Sequence, residues 1–348
     1  MKALGNSIRS NISFYLLLVV LFLLFLTMTS CKENAISTEP QSAEYFDSSL
    51  LNYSDYIQAS IPAFGLDSNP LNAQQNRAQI YWYNENPSSI KVSDITNEEL
   101  ESGDRNSSLE ILNVVFNPTE KGAYNFGELS ANLKSNWGGF ARALPAEVTK
   151  KIRNKNLVIK IWMKIETSPS DAVLNIDLGR ISEEIIPNGR LDSEDQNGNN
   201  LLDEGEDTGI DGILDIEEPS YQTGTDPNDD NFSYSSGSFE KNNGTEGNSI
   251  QTGKEKKYDT EDLNGNFAID FSNEYLSYQI PLDKSKISDS KIYENGNSGW
   301  IQVKIPVDLP DLQIGIPDKN QTESLRFWIT NAESTVHLKI AQIIFDEI

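Results

Sequence analysis

From Ala78 to the end of the chain one pattern recurs. Short runs of β-branched and aromatic residues are separated by clusters of Asn, Gly, Pro and Asp. Runs of this length and composition predict β-strands that are bounded by turns. The eight clearest runs are residues 78–83, 110–116, 157–165, 173–178, 275–280, 300–307, 324–330 and 335–345.

Several of these runs alternate between apolar and polar positions. In residues 157–165, Ile159 and Ile161 fall on one face and Lys160 falls on the other. A period of two predicts strands that bury one face of a sheet. We therefore predict an all-β fold, a jelly-roll-like β-sandwich with a long acidic loop insertion at residues 185–274.

The first thirty residues have the features of an export signal. Lys2 and Arg9 give a positive start, and residues 14–26 form an unbroken apolar run. This run is shorter than the ~20 residues that a membrane-spanning helix needs. The only cysteine, Cys31, follows small residues, as it does in bacterial lipoproteins. We predict a lipoprotein signal peptide at residues 1–30 and a lipid on Cys31. An ordinary secretory signal with an incidental cysteine is the alternative.

The mature chain divides into two parts by composition. Residues 31–76 are rich in Ser, Asn, Gln and Asp and have few apolar clusters, which predicts a tether with some order at residues 53–66. Residues 77–348 carry the predicted strands and form the predicted sandwich domain. A lipid on Cys31 makes the chain an outer membrane lipoprotein, on the cell surface or on the periplasmic face, because two or three acyl chains anchor a protein durably.

The composition excludes several functions. The chain has 28 Lys and Arg against 53 Asp and Glu, which gives a formal charge of −25. This charge repels phosphate backbones, so we predict no nucleic-acid partner. A single Cys and a single His exclude a disulfide framework, a cysteine zinc site and multi-histidine metal centres.

Acidic residues are densest between Asn188 and Asp230, where 14 acidic residues accompany one basic residue, Arg190. Within this stretch, the segment 195–206 places oxygen ligands at the alternate positions of a calcium-binding loop. A hard divalent cation needs about six to eight oxygens, and a short turn supplies them from alternate residues. The predicted ligands of this segment are Asp195, Asn197, Asn199, the Leu201 carbonyl, Asp203 and Glu206.

Two further segments repeat this spacing. The segment 207–218 matches it with Gly209 at position 3, so one ligand is lost. Residues 259–270 repeat residues 192–203, with seven of twelve positions identical. The predicted ligands of the two segments are Asp207, Asp211, the Ile213 carbonyl, Asp215 and Glu218, and then Asp262, Asn264, Asn266, the Ala268 carbonyl and Asp270.

The third segment departs from the pattern at position 12. This position is Asn273, so the bidentate acid is lost or is supplied by the neighbouring Glu274. Asn ligands also dilute the negative charge, which predicts dissociation constants of ~10⁻⁴–10⁻³ M, as in extracellular modules. We predict structural Ca²⁺ sites, and an acidic linker that binds no ion is the alternative.

Short motifs follow one another in order across residues 78–348. They are Ala78–Tyr83, Phe116–Asn125, Trp137–Arg142, Ile161–Met163, Leu178–Gly189, Thr260–Gly265 and Leu325–Asn331. In sequence and in order they resemble the SprA/Sov family of Bacteroidetes, which implies a surface role in gliding motility and type IX secretion. Family members are several-fold longer and contain a giant transmembrane barrel, for which this chain has too few amphipathic strands. The chain resembles a stand-alone copy of one soluble domain.

Two functions are compatible with these features. The first is a non-enzymatic, lipid-anchored protein that acts by contact with type IX secretion or gliding components. The alternative is a carbohydrate-binding or adhesive lipoprotein that binds polysaccharide on exposed tryptophans; Trp137 is the best candidate for an exposed one, although core packing is favoured for most of the five. We predict no enzyme, because nothing fixes the separation of Glu183 and Glu184, and His337 lies within a strand pattern.

Overall fold

The computed structural model describes residues 46–66, 69–85, 89–96, 105–154, 156–235, 238–249, 257–287 and 291–347. The predicted signal peptide, Cys31 and the first part of the predicted tether lie outside the described residues. No helix in the described part of the chain is long and apolar enough to cross a membrane.

The described part of the chain is built mainly from strands. The helices are α1 Pro70–Gln75, α2 Val92–Ile95 and α3 Ala146–Asn154, and short 3-10 helices lie at Tyr53–Asp55, Leu133–Ser135, Asp215–Glu217, Lys284–Lys286 and Lys319–Gln321. The strands are β1 Ile57–Gln58, β2 Ala78–Glu85, β3 Ile111–Lys121, β4 Gly138–Ala143, β5 Leu157–Thr167, β6 Val173–Arg180, β7 Ser233–Ser235, β8 Ser238–Lys241, β9 Glu274–Pro281, β10 Ile292–Asn295, β11 Trp300–Pro306, β12 Leu312–Ile314, β13 Ser324–Thr330 and β14 Val336–Glu347.

The strands of the described residues form two six-stranded sheets and one hairpin. Sheet I has the order β1-β4-β13-β6-β9-β12, and sheet II has the order β10-β11-β5-β14-β3-β2. Every neighbouring pair is antiparallel, including the separate β7–β8 hairpin. Consecutive strands repeatedly cross from one sheet to the other, as in a jelly roll.

The two sheets pack face to face over one core. The rings of Phe140 and Phe327 from sheet I stack with centroids 5.4 Å apart, and Ile161 of sheet II belongs to the same apolar cluster. Ile159 and Ile161 are buried, whereas Lys160 on the opposite face of β5 stays partly exposed, as the alternation predicts. Each large apolar side chain buried in this way contributes about 1.5–3 kcal/mol. The predicted all-β, jelly-roll-like sandwich is confirmed.

Strand β4 lies inside sheet I but has no counterpart among the eight predicted runs. It begins with Gly138 and Gly139, which have low strand propensity. A Cβ at Gly139 would lie 2.7 Å from the Cβ of Trp328, and a Cβ at Gly138 would lie 2.9 Å from the Cβ of Ile80. Close approach of neighbouring elements therefore requires glycine here, which removes the strand signal from the sequence.

Residues 46–66 belong to the folded body, which corrects the predicted tether at residues 31–76. Leu50 and Leu51 are buried in the core of the sandwich, and β1 pairs with β4 at the edge of sheet I. The helix α1 also buries Ala73. Only a few apolar residues of this segment make these contacts, so its polar average composition conceals them.

A long segment separates two neighbouring strands of sheet I. Strands β6 and β9 are hydrogen-bonded to each other, yet residues 181–273 lie between them in the sequence. We call this segment the acidic excursion. Its described residues form turns, the 3-10 helix Asp215–Glu217 and the β7–β8 hairpin. The predicted calcium loops lie within it.

Candidate metal-binding loops

The first predicted loop, residues 195–206, is called loop A. Its chain curls around the carboxylate of Asp195. One oxygen of Asp195 accepts hydrogen bonds from the backbone N–H groups of Gly198 (2.8 Å) and Asn199 (3.0 Å), and the other accepts from Asn200 (2.7 Å). Asn200 takes a left-handed conformation with φ +65°, which asparagine tolerates better than most residues. The first ligand position therefore fixes the start of the loop.

The other side-chain ligands of loop A converge. The amides of Asn197 and Asn199 both donate to one oxygen of Asp203, at 2.9 and 2.7 Å. Asn197 also donates to Glu206 at 3.0 Å. Four of the six predicted ligands are thus linked by side-chain hydrogen bonds. Asp195 bonds backbone N–H groups of the same loop, and Leu201 contributes only a backbone carbonyl. Carboxylate and amide oxygens are the donors that Ca²⁺ prefers.

The third predicted loop, residues 262–273, is called loop C and repeats this geometry. Asp262 accepts from the backbone N–H groups of Gly265 (2.8 Å), Asn266 (3.0 Å) and Phe267 (2.7 Å). Asn264 and Asn266 donate to one oxygen of Asp270, each at 2.8 Å. Ala268, the predicted carbonyl ligand, follows at the position equivalent to Leu201. The two loops therefore share one conformation as well as one sequence pattern.

Position 12 distinguishes loop C from loop A. Asn273 accepts a hydrogen bond from the backbone of Ser182, at 3.3 Å, and so bonds outside the loop. Glu274, the suggested substitute, forms an ion pair with Arg180 at 3.2 Å. Loop C thus has two acidic side chains among its predicted ligands, whereas loop A has three.

The two repeats are joined by a local two-fold relation. Glu194 N–H donates to the Asp259 carbonyl, and Glu261 N–H donates to the Asp192 carbonyl, both at 3.0 Å. These are equivalent positions of the two repeats, exchanged by the two-fold axis. The side chains of Glu194 and Glu261 are buried between them, and burial raises the pKa of Glu194 to about 9 and that of Glu261 to about 7.

Each buried glutamate accepts a hydrogen bond from a backbone N–H group of the other repeat. The carboxylate of Glu194 accepts from Asp259 N–H (2.7 Å) and Gly209 N–H (3.1 Å). The carboxylate of Glu261 accepts from Ile185 N–H (2.6 Å) and from Asp192 N–H (3.1 Å). The repeats of loops A and C therefore form one unit, a pairing that the ligand spacing of each loop does not predict.

The second predicted loop, residues 207–218, does not gather its predicted ligands. Asp207 accepts from the backbone of Gly247 (2.9 Å) and Asn248 (3.2 Å), outside the segment. Asp211 accepts from the backbone of Ile213, at 3.0 Å. Asp215 and Glu218 of this set meet two acids from outside the segment, and burial together with the nearby charge of Asp211 helps to raise the pKa of Glu218.

These four acids form the tetracarboxylate cluster, which consists of Asp215, Glu218, Asp230 and Glu246. One carboxylate oxygen from each lies within 4.8 Å of the others. Asp230 is 0% exposed and Glu218 is 4% exposed. Burial and the neighbouring carboxylates raise the pKa of Asp230 to about 9 and the pKa values of Glu218 and Glu246 to about 7. A search by loop spacing misses Asp230 and Glu246 because neither lies within the twelve-residue segment.

The other side chains singled out in the sequence have structural surroundings. All five tryptophans are buried; Trp137, the predicted exposed one, is 0% exposed and donates to the Ala73 carbonyl at 2.8 Å. The expectation of an exposed Trp137 is therefore wrong, because its indole fills the space beneath α1. Glu183 accepts from backbone N–H groups of loop C, and His337 contacts Asn113.

No protein-family model and no curated protein matches this sequence. Among solved structures, the chain is similar to a family 11 carbohydrate-binding module from Clostridium thermocellum in complex with a β-1,3-1,4-mixed-linked tetrasaccharide. The identity is 12%, the TM-score is 0.28, and the match covers 84% of this chain and 95% of that one. A second similar structure is the family 11 module of a cellulosomal cellulase from Clostridium thermocellum, with 9% identity, a TM-score of 0.27 and the same coverage. Because both TM-scores are low, the fold rests on the strand pairing above and no ligand is inferred from these matches.

Proposed function

We propose that this chain is a non-enzymatic β-sandwich protein of the cell surface that acts by protein–protein contact through its acidic excursion. The observation that carries this proposal is that loops A and C hold large apolar side chains out in water. Phe267 of loop C is 70% exposed, and Phe271 and Leu201 are also exposed. Apolar groups presented by an ordered polar loop are typical of a docking surface.

Calcium has a structural role in this proposal. The proposed ligands are those that converge in loops A and C. A divalent ion between their oxygens would offset carboxylate repulsion and hold the exposed tips in one conformation. The cost of Phe267, whose left-handed φ of +63° is unfavourable by about 1–2 kcal/mol for an L-residue, supports a role for its position.

We propose the partner class on the basis of the sequence motifs. Their order resembles the SprA/Sov family, which supports a partner from the type IX secretion or gliding machinery. The test is a pull-down from solubilised outer membranes with the mature chain, in calcium and in chelator. We expect secretion or gliding components to be recovered in calcium and lost in the double variant Phe267→Ala, Phe271→Ala.

The matched control for this pull-down is Phe126→Ala, which removes a phenyl ring of similar exposure outside the excursion. This variant is expected to recover the same components as the native chain. Equal recovery from the native chain and from the Phe267, Phe271 double variant would contradict the proposal.

The lipid anchor has its own test. Cells that express the native chain and a Cys31→Ala variant are labelled with radioactive palmitate. We expect label in the native chain only, and release of the variant from the membrane fraction. Incorporation of palmitate into Cys31→Ala, or none into the native chain, would remove the anchor from the proposal.

A second candidate function is polysaccharide binding, and one groove favours it. This groove has a volume of about 530 Å³ and lies beside the start of the excursion. It is lined by the partly exposed ring of Phe64 together with Ser182, Glu184 and Asn273. An aromatic ring together with carboxylate, hydroxyl and amide groups is a combination that suits a sugar ring.

The groove is tested by affinity electrophoresis through gels that contain soluble polysaccharides. If the second candidate is right, a polysaccharide retards the native chain, and Phe64→Ala reduces this retardation, whereas Phe126→Ala leaves it unchanged. Migration of the native chain that no polysaccharide alters would exclude this function and favour the protein-contact proposal.

A further inference from the structure

The tetracarboxylate cluster contains a buried carboxyl group whose hydrogen-bonding capacity is not satisfied by the described residues. Within the described residues, neither carboxylate oxygen of Asp230 has a hydrogen-bond partner, although Asp230 is fully buried. One oxygen of Glu218 and one of Asp215 also have none. Burial of a carboxylate without a compensating partner costs several kcal/mol, so native proteins pair such groups or bind a cation to them.

We propose that Asp215, Glu218, Asp230 and Glu246 bind one calcium ion, at a site separate from loops A and C. The spacing of the cluster suits this ion. Oxygens that bind one Ca²⁺ at about 2.3–2.6 Å lie at most ~5 Å from one another. The four oxygens of the cluster lie within 4.8 Å of one another and meet this limit.

Asp230 takes the place that the sequence pattern leaves open at Gly209. Position 3 of the segment 207–218 lacks a side chain, and a Cβ built on Gly209 would lie 2.2 Å from an oxygen of Asp230. A carboxylate from outside the segment therefore fills the space of the absent third ligand. A side chain at position 209 would clash with the Asp230 carboxylate and force it to shift.

The position of Asp230 is fixed by its backbone. Its N–H donates to Asp226 at 3.1 Å, and its carbonyl accepts from Thr245 (2.6 Å) and from Glu246 (3.0 Å). Thr245 in turn bonds the buried hydroxyl of Tyr124, which follows β3 of the sandwich. The cluster is thus built on ordered backbone that contacts the sandwich, and is not a set of free surface acids.

The donor set selects a hard cation. All four groups are carboxylates, which favour calcium over the softer metals that require imidazole or thiolate. Lys241 at the end of β8 forms ion pairs with Asp226 and Asp229. Four carboxylates at one point exceed the three of loop A and the two of loop C, so this site is expected to bind calcium most tightly.

The test is a calcium titration of the whole mature chain, with bound ions counted by equilibrium dialysis. We expect one tight site, and we expect the dissociation constants of the other sites to be at least tenfold higher. Asp230→Asn is expected to remove the tight site and to leave the weak ones. The controls Asp195→Asn and Asp262→Asn should weaken the weak sites and leave the tight one.

Asp230→Asn is nearly isosteric and removes an acid that repels the neighbouring carboxylates, so it is expected to melt in chelator at a temperature no lower than that of the native chain. If this variant does not fold, Glu246→Gln at the partly exposed rim replaces it and must weaken the tight site at least tenfold. Persistence of the tight site in the folded variant would overturn the inference. Calcium binding by loops A and C is measured separately from binding by the cluster. That result would therefore not contradict the proposed function.

Discussion

Asp177 and Asp230 are both fully buried carboxylates, and their surroundings are opposite. On the outer face of sheet I, Asp177 accepts from Nε of Arg326 (2.8 Å), Nε1 of Trp328 (3.0 Å) and Oγ of Ser277 (2.6 Å). In the acidic excursion, the oxygens of Asp230 have no hydrogen-bond partner within the described residues and face three further carboxylates.

This difference separates two kinds of stability. A buried charge persists only where its lost hydration is offset. At Asp177 the chain supplies the offset itself, and residues 57–66 help to cover the site, since Arg326 also donates to Ser60 at 3.1 Å. At Asp230 the offset comes from solution under our proposal. The sandwich is then intrinsically stable, while the shape of the excursion depends on calcium.

The largest expected effect on stability comes from removing the Asp177 carboxylate, which is fully hydrogen-bonded. Asp177→Ala leaves the buried guanidinium of Arg326 without its ion-pair partner, which lies 2.7 Å away. We expect the free energy of unfolding to fall by about 3–5 kcal/mol, because one buried charge remains uncompensated. Urea denaturation in the presence of calcium measures it.

The matched control is Asp171→Ala, which removes an exposed partner of Lys134 and Lys286. Its effect on the free energy of unfolding is expected to be much smaller, because water screens both charges. If the Asp177 variant were no less stable than this control, the hydrogen bonds and ion pair of Asp177 would not stabilise the fold, and the contrast with Asp230 would be contradicted.

An intermediate effect is expected when calcium is removed. An ion that binds only the folded chain stabilises it by about 2.7 kcal/mol at one hundred times its dissociation constant. Chelator should therefore lower the melting temperature and open residues 188–274 to trypsin before the sandwich unfolds. Identical melting curves and cleavage patterns with and without chelator would refute the calcium sites.

The smallest expected effect is a change in the calcium affinity of loop A, which tests why loops A and C differ. Glu206→Gln removes the acid at position 12 of loop A and makes this position resemble Asn273 of loop C. We expect calcium affinity at loop A to fall about tenfold, toward that of loop C, since carboxylate count sets affinity in such loops. Calorimetric titration measures the change, and an unaltered loop A affinity would show that Glu206 is not a ligand.

The sandwich could be predicted because its signal is local. Each of the eight runs became a strand, since alternation along a strand such as β5 directly reflects burial in the core. Among the six strands outside these runs, β4 begins with two glycines that are required by contacts with Trp328 and Ile80, which are distant in sequence. A pattern search contains no information about such contacts.

The candidate site could be predicted only in part, for a related reason. Each of loops A and C is one continuous segment, so the spacing of its ligands in the sequence determines how they are arranged in space. The tetracarboxylate cluster combines Asp215 and Glu218 with Asp230 and Glu246, which the β7–β8 hairpin and its flanking turns bring together. The one sequence feature that points to the cluster is Gly209 at position 3 of the segment 207–218. It has no side chain, and a carboxylate distant in sequence fills the space.

The most direct test of the central claim is a crystal structure of the mature chain grown with calcium, with anomalous scattering recorded for the ion. We expect an anomalous peak at about 2.3–2.6 Å from carboxylate oxygens of Asp215, Glu218, Asp230 and Glu246. Weaker peaks are expected in loops A and C. A structure with no peak at the cluster, in which protein groups or water molecules satisfy both oxygens of Asp230, would contradict the account.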